Sequence, residues 1–371
     1  MTKQIALPSD TPHIIECSAS DSFQDWLSQA GGSLAITTYQ AGKLVLVGWN
    51  GQQVTVLLRQ FPKPMGLAVQ GQRIALATHH EVWIFANAPL LAHDYLENQP
   101  GRYDALYLPR VVYFTGDLNS HDLAFGRDGL WLVNTRFSCL AALSKDFSFV
   151  PRWQPPFISQ IAPEDRCHLN GLAMVNGQPK FVTALGESDR VGGWRPNKAL
   201  GGILIDVDSG EIVQRGLSMP HSPCWHDGYL WLLNSGAGEL WRIDVQSGQH
   251  DVVCVLPGFL RGLCCVSNYA VVGLCQLREQ YIFGGLPVQQ RFERLLCGVA
   301  VVDLSSGETL GILEFTAGCQ ELYDVQFLPG ILRPTILNRD RIETRQAFTA
   351  PEFSYWLRPS SLIKTDESGT I

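Results

Sequence analysis

MPHSPCWHDGYLWLLNSGAGELWRIDVQSGQHDVV (219–253) divides into four short apolar runs separated by turns. PHSPCW is the first run. The turn HDG leads into the second, LWLLNS. The third, ending in RID, leads through Val-Gln-Ser-Gly to the fourth, DVV. In Asp-x-x-Ser-Gly the glycine supplies the positive φ that a tight hairpin turn requires. The same strand and turn recur as LIDVDSGEIV (204–213) and VVDLSSGETL (301–310). Four short strands in a unit of ~40–60 residues are the pattern of a propeller blade.

The first run of each unit also recurs. It reads PMGLAV (64–69), SHDLAF (120–125), LNGLAM (169–174) and LRGLCC (260–265), with weaker copies in PHSPCW (220–225) and LYDVQF (322–327). The second residues of these blocks, Met65, His121, Asn170, His221, Arg261 and Tyr323, mark six inner strands. After Tyr323 the chain supplies a first strand, DVQFLPG, and a partial second in PTILN, then no clear third or fourth. The missing strands stand near the N-terminus as SLAITTY, GKLVLVGW and QVTVLLRQF within 33–61. Pairing the two ends removes the free sheet edges that an open ring would expose. The expected fold is all-β, a six-bladed β-propeller of four-stranded antiparallel blades, closed by strands from both ends of the chain.

Three segments are expected: an N-terminal segment with a short helix (1–32), the propeller (33–338), and a C-terminal tail docked on it with a frayed end (339–371). The helix is read at 21–30, where Phe23, Trp26 and Leu27 share one face behind a Ser/Asp cap. Long inserts at 90–118, 186–202 and 276–296 interrupt the repeat.

The strings TTYQAGKL (37–44), LWLVNTRFSCL (130–140), APEDRCHLNGLAM (162–174) and MPHSPCWHDGYLWLLNSGAGEL (219–240) resemble a family of bacterial conserved hypothetical proteins, a domain of unknown function. The resemblance covers about 30–338. It implies a propeller and carries over no catalytic residue.

Composition narrows the function. The 371 residues hold 28 Lys and Arg against 35 Asp and Glu, a net charge of −7. A nucleic-acid partner needs a basic footprint, so it is not expected. With 46% hydrophobic residues a large core is available and disorder throughout is excluded. No apolar run is long enough for a membrane span, and no apolar segment of a secretory signal follows Lys3. The 10 cysteines form no CxxC pair, and most lie in apolar runs such as GLCCV. Buried thiols in a reducing cytoplasm are the expectation.

Inner strands line a propeller's channel, and their starts ring one mouth. These positions hold His121, Asn170, His221, Arg261 and Tyr323; two residues before the markers, expected on the same strand face, lie His168 and Glu321. His121, His168, His221 and Glu321 suit a divalent transition metal such as zinc or iron. Without metal, His121, His168 or His221 serves as a general base, Arg261 holds a carboxylate or phosphate, and Tyr323 completes the catalytic set. The alternative is that these polar groups bond to the backbone and to buried water as scaffold. Asp122 and Asp324 point the other way and are expected to cap turns or to bond to neighbouring blades. In EDRCHLNG (164–171), Arg166 and His168 are candidates for reaching the channel, and Cys167 for a lowered pKa between them. The adjacent His79 and His80 are expected to diverge on an extended strand. Two functions compete: a metal-assisted enzyme acting on a small molecule at one mouth, or a non-catalytic propeller presenting loops to a protein or carbohydrate.

Overall fold

The computed structural model describes residues 14–277 and 284–358. Its strands form six sheets arranged as the blades of a propeller, plus one separate hairpin. Blade 1 closes the ring. Its inner strand, Asp324–Pro329, pairs antiparallel with Gly32–Thr38, and Lys43–Trp49 and Val54–Gln60 follow outward. Pairing runs from Gly32 opposite Pro329 to Thr37 opposite Asp324 without a slip. The expected closure is therefore the observed one.

The other blades are consecutive in sequence. From inside outward, blade 2 is Leu67–Gln70, Arg73–Ala77, Glu81–Asn87 and Ala105–Phe114. Blade 3 is Ser120–Gly126, Gly129–Asn134, Cys139–Ala142 and Val150–Trp153. Blade 4 is Leu169–Val175, Gln178–Ala184, Gly202–Asp206 and Ile212–Leu217. Blade 5 is Pro220–His226, Tyr229–Asn234, Glu239–Ile243 and His250–Val255. Blade 6 is Phe259–Val266, Tyr269–Cys275, Gly298–Asp303 and Thr309–Ala317.

Two outer edges are covered in ways the repeat did not show. Glu16–Ala19 pairs with Thr309–Ala317 as a fifth strand of blade 6. Pro334–Ile336, expected to continue blade 1, instead runs parallel to Ala105–Phe114 and becomes a fifth strand of blade 2. The N–H groups of Leu332 and Arg333 donate to the carboxylate of Asp104 just before that strand. This steers the chain across to the neighbouring blade. A helix forms at Asp21–Gln29 behind Ser20, whose hydroxyl accepts from the Phe23 amide at 3.2 Å. Phe23, Trp26 and Leu27 are buried against blade 6. The hairpin Ala347–Ala350 and Phe353–Trp356 lies by blade 2, where Trp356 stacks on Tyr95.

The hydrophobic core sits between blades. Leu44, Leu46 and Phe61 of blade 1 pack on Leu67, Ile74 and Trp83 of blade 2, and equivalent clusters recur around the ring. Polar bonds tie the blades near the channel. Thr37 donates to the carbonyl of Met65 at 2.7 Å, Thr135 to Leu169 at 2.5 Å, and Asn170 to Pro220 at 2.8 Å. A second set alternates around the ring. Asp324 accepts from the Leu67 amide, Asp122 from Leu172, and Ser222 from Gly262. The intervening blades carry glycine at the equivalent place, Gly66, Gly171 and Gly262. A Cβ at Gly66 would lie 2.9 Å from Asp122 Cα, and one at Gly262 would lie 2.6 Å from the Val325 amide. Alternate blades thus give up a side chain so that their neighbours' acceptors fit inside the narrow ring.

Candidate functional site

The six inner strands start together around one mouth. Just ahead of them the backbone turns through a left-handed residue in four blades, at Lys63 (φ 48°), Asn119 (φ 53°), His168 (φ 53°) and Met219 (φ 47°). Each such non-glycine residue costs about 1–2 kcal/mol, so the surrounding fold must hold it. The kink overturns the assumption that residues two apart share a strand face here. It also folds a carbonyl back onto the marker side chain. Nδ1 of His121 lies 2.8 Å from the Asn119 carbonyl, and Nδ1 of His221 lies 2.8 Å from that of Met219. Since a carbonyl only accepts, Nδ1 carries the proton in both rings and Nε2 is the acceptor. Thr135 and Ser235, at matching places after the second strands, touch the same two nitrogens.

A cavity of about 560 Å³ occupies this mouth. His121, His168, Arg261, Glu321 and Tyr323 line it, together with Tyr39, Lys63, Asp165, Trp194 and Arg195. His221 lies deeper, edge-on to Phe259 with centroids 5.5 Å apart. A second cavity of about 360 Å³ follows the same inner strands onward, past Asp122, His221, Ser222 and Asp324. His121 and Tyr323 line both cavities and separate them.

Five rings form a continuous wall of the first cavity. Tyr39 stacks on Tyr323 at 5.6 Å, Tyr323 meets His121 at 5.3 Å, His121 meets His168 at 4.7 Å, and His168 meets Trp194 at 4.4 Å. Against this wall lies Arg261, 7% exposed, with its guanidinium 4.8 Å from the Tyr323 ring centre and 5.6 Å from that of Phe259. Nη1 reaches Glu321 at 3.4 Å. Among the described residues, Arg261 Nε, the Tyr323 hydroxyl and His221 Nε2 are buried without a hydrogen-bond partner.

Burial pushes His121 well below the usual imidazole range, and neighbouring His168 and Arg261 push it the same way. Burial, then Arg261, does likewise to His221. Both rings are therefore neutral at pH 7. The Nδ1 of His168 lies 2.9 Å from each carboxylate oxygen of Asp165. Asp165 is itself placed by Trp194 Nε1 at 3.2 Å and faces Arg195 at 3.8 Å. An imidazole held this way has a fixed tautomer, with Nε2 ready to take a proton.

Several expectations change here. Among the described residues no group of three or more His, Cys, Asp or Glu side chains is arranged to hold a metal ion. His121 and His221 direct Nδ1 to backbone carbonyls, His168 is engaged with Asp165, and Glu321 faces Arg261. Arg166 does not reach the cavity; it pairs with Glu164 at 2.8 Å and Asp189 at 2.6 Å. Cys167 is not activated by its neighbours, because burial pushes its thiol up to about 12. His79 and His80 do not diverge: they sit in a bend, not a strand, and their rings stack at 3.7 Å. Asp122 and Asp324 bond to neighbouring blades as expected. Arg278 and Glu279, in the 276–296 insert, lie outside the described residues, as does the end of the tail.

Asp165, Tyr39 and Trp194 were not singled out as site residues. Asp165 is three residues before His168, and both take positive φ, which lets so short a segment bend back on itself. Trp194 comes from the 186–202 insert, whose glycines and tryptophan were the available signal.

This is a six-bladed β-propeller with a polar and aromatic cavity at one channel mouth. A family model described as Domain of unknown function (DUF4915) matches residues 21–337, and the chain belongs to that family. None of the curated proteins matches it. Among solved structures, a chain of "Crystal structure of Nidogen/Laminin Complex" is similar over 81% of this chain and 99% of its own, with TM-score 0.50 and 9% identity. At that identity the likeness speaks for the fold alone.

Proposed function

We propose that the protein is an enzyme acting on a small molecule in the 560 Å³ cavity by general acid–base chemistry. The observation that carries this reading is the Asp165–His168 pair, with both carboxylate oxygens 2.9 Å from Nδ1 inside the cavity wall. His168 Nε2 takes a proton from the substrate or from an attacking water. Asp165 stabilises the imidazolium that forms, and His168 then returns the proton to the leaving group. Neutral His121, beside it at 4.7 Å, is a second acceptor that orients a donor group. Trp194 and Tyr39 bring the apolar surface a small ligand needs.

The test is turnover of a panel of small lactones, esters and hydroxy acids by wild type, H168Q and D165N. Wild type is expected to convert at least one of them. H168Q should slow that reaction by about 100-fold or more. D165N should also slow it, because an amide stabilises the imidazolium less than a carboxylate does. Equal rates for wild type and H168Q overturn the reading. Failure of wild type on the whole panel, with ligands still bound, favours a binding propeller and likewise overturns it.

A further inference from the structure

We propose that the ligand of this cavity is a small carboxylate with a flat, unsaturated body, anchored by Arg261; this rests on the small-molecule reading of the same cavity. The guanidinium is buried on the cavity wall, 7% exposed. Its contact with Glu321 uses Nη1, at 3.4 Å, and leaves the edge formed by Nε and Nη2. That edge is the one whose two parallel N–H groups match the two oxygens of a carboxylate. Among the described residues Nε has no hydrogen-bond partner, nor does the hydroxyl of Tyr323, whose ring lies under the guanidinium at 4.8 Å. Two buried donors without acceptors at one place are costly unless an acceptor comes to them.

Charge selects the kind of acceptor. Glu321 stands close to Arg261, so the floor carries little net positive charge. His121 and His221 are neutral and add none. Arg136 is paired with Asp117, Arg195 lies by Asp165 over the Trp194 ring, and the Lys63 ammonium sits over the Tyr39 ring at 5.0 Å. One guanidinium edge suits a monoanion, whereas a phosphate dianion calls for more cations than reach this floor. The body of the ligand is read from the wall. Tyr39, Tyr323, His121, His168 and Trp194 form an unbroken run of rings, with Arg261 over the Tyr323 ring. A planar ligand anchored at Arg261 lies along that run and passes His168.

Calorimetric titration with benzoate, benzamide and inorganic phosphate tests this on the full-length protein. Benzoate is expected to bind at least tenfold more tightly than benzamide, with no displacement by equimolar phosphate. R261M should erase the preference for benzoate, and R261K should reduce it. Y323F keeps the ring and removes one donor; it should weaken benzoate several-fold at an unchanged melting temperature, so the proposal stays testable even if R261M does not fold. Equal affinity for benzoate and benzamide overturns the proposal. So does phosphate binding in place of benzoate, or a preference that survives R261M. H168Q separates the two readings. If it leaves turnover intact while R261M abolishes benzoate preference, the catalytic reading fails and the carboxylate site stands.

Discussion

His221 is buried to 4% exposure with its Nδ1 proton committed to a carbonyl, and Asp324 is buried to 7% with both oxygens on backbone amides. Burial acts on them in opposite directions with pH. His221 titrates below its ordinary range, so above about pH 6.5 it is neutral in both folded and unfolded chains. Below that pH the unfolded chain gains a proton that the fold refuses, and stability is lost on acidification. Burial raises Asp324 to about 7. Between roughly pH 4 and 7 the fold keeps a proton that the unfolded chain has released, so this contribution is lost as pH rises through about 7. Melting temperatures measured from pH 7.5 to 5 should therefore fall less steeply for H221Q than for wild type, and more steeply for D324N. Identical slopes in all three proteins would contradict these assignments. The residue scale is also where the sequence was least legible. It placed His121, His168, Arg261 and Tyr323 at one mouth because strand starts share an end. It did not show the left-handed turns at Asn119 and Met219, which decide where the imidazole protons go.

At the scale of elements, the helix Asp21–Gln29 shows how short-range and long-range signals differ. Its cap and apolar face could be read locally, and both are present. Its docking could not. Ser20 also accepts from the Ile312 amide at 3.1 Å, and a Cβ on Gly311 would lie 2.4 Å from the Phe23 nitrogen. S20A should cost about 1 kcal/mol as a lost cap, with the lost sheet contact adding to it. G311A should cost about 1–3 kcal/mol, since helix and strand backbones must move apart. Chemical denaturation of both variants checks the order. If G311A is neutral, the helix is not seated as described. The strand Pro334–Ile336 teaches the same lesson from the other side. Its apolar residues were legible as a strand, but its partner was not, because an outer edge accepts a strand in either direction once the local backbone is steered to it.

For the whole molecule, closure is the property that everything else depends on. Residues of the first and last blocks pair from Gly32–Pro329 to Thr37–Asp324, and Asp324 then holds the Leu67 amide of blade 2. Removing residues 1–61 deletes three strands of blade 1 and bares the edge of Asp324–Pro329. The truncated chain should be insoluble or lack a cooperative melt; a stable monomer would refute the role of closure. The sequence by itself determined the repeat, the six blades and the exchange of strands between the chain ends. Hydrophobic alternation and turn chemistry are local, and six copies of one local pattern specify a ring. The same copies placed the polar markers at one mouth. Only the tertiary structure decided what those markers do. Imidazole tautomers, the Asp165–His168 pair and the uncommitted edge of Arg261 depend on backbone kinks and on neighbours brought together across blades. Those distances are set by how six twisted sheets pack around a narrow axis, and spacing along the chain does not encode them.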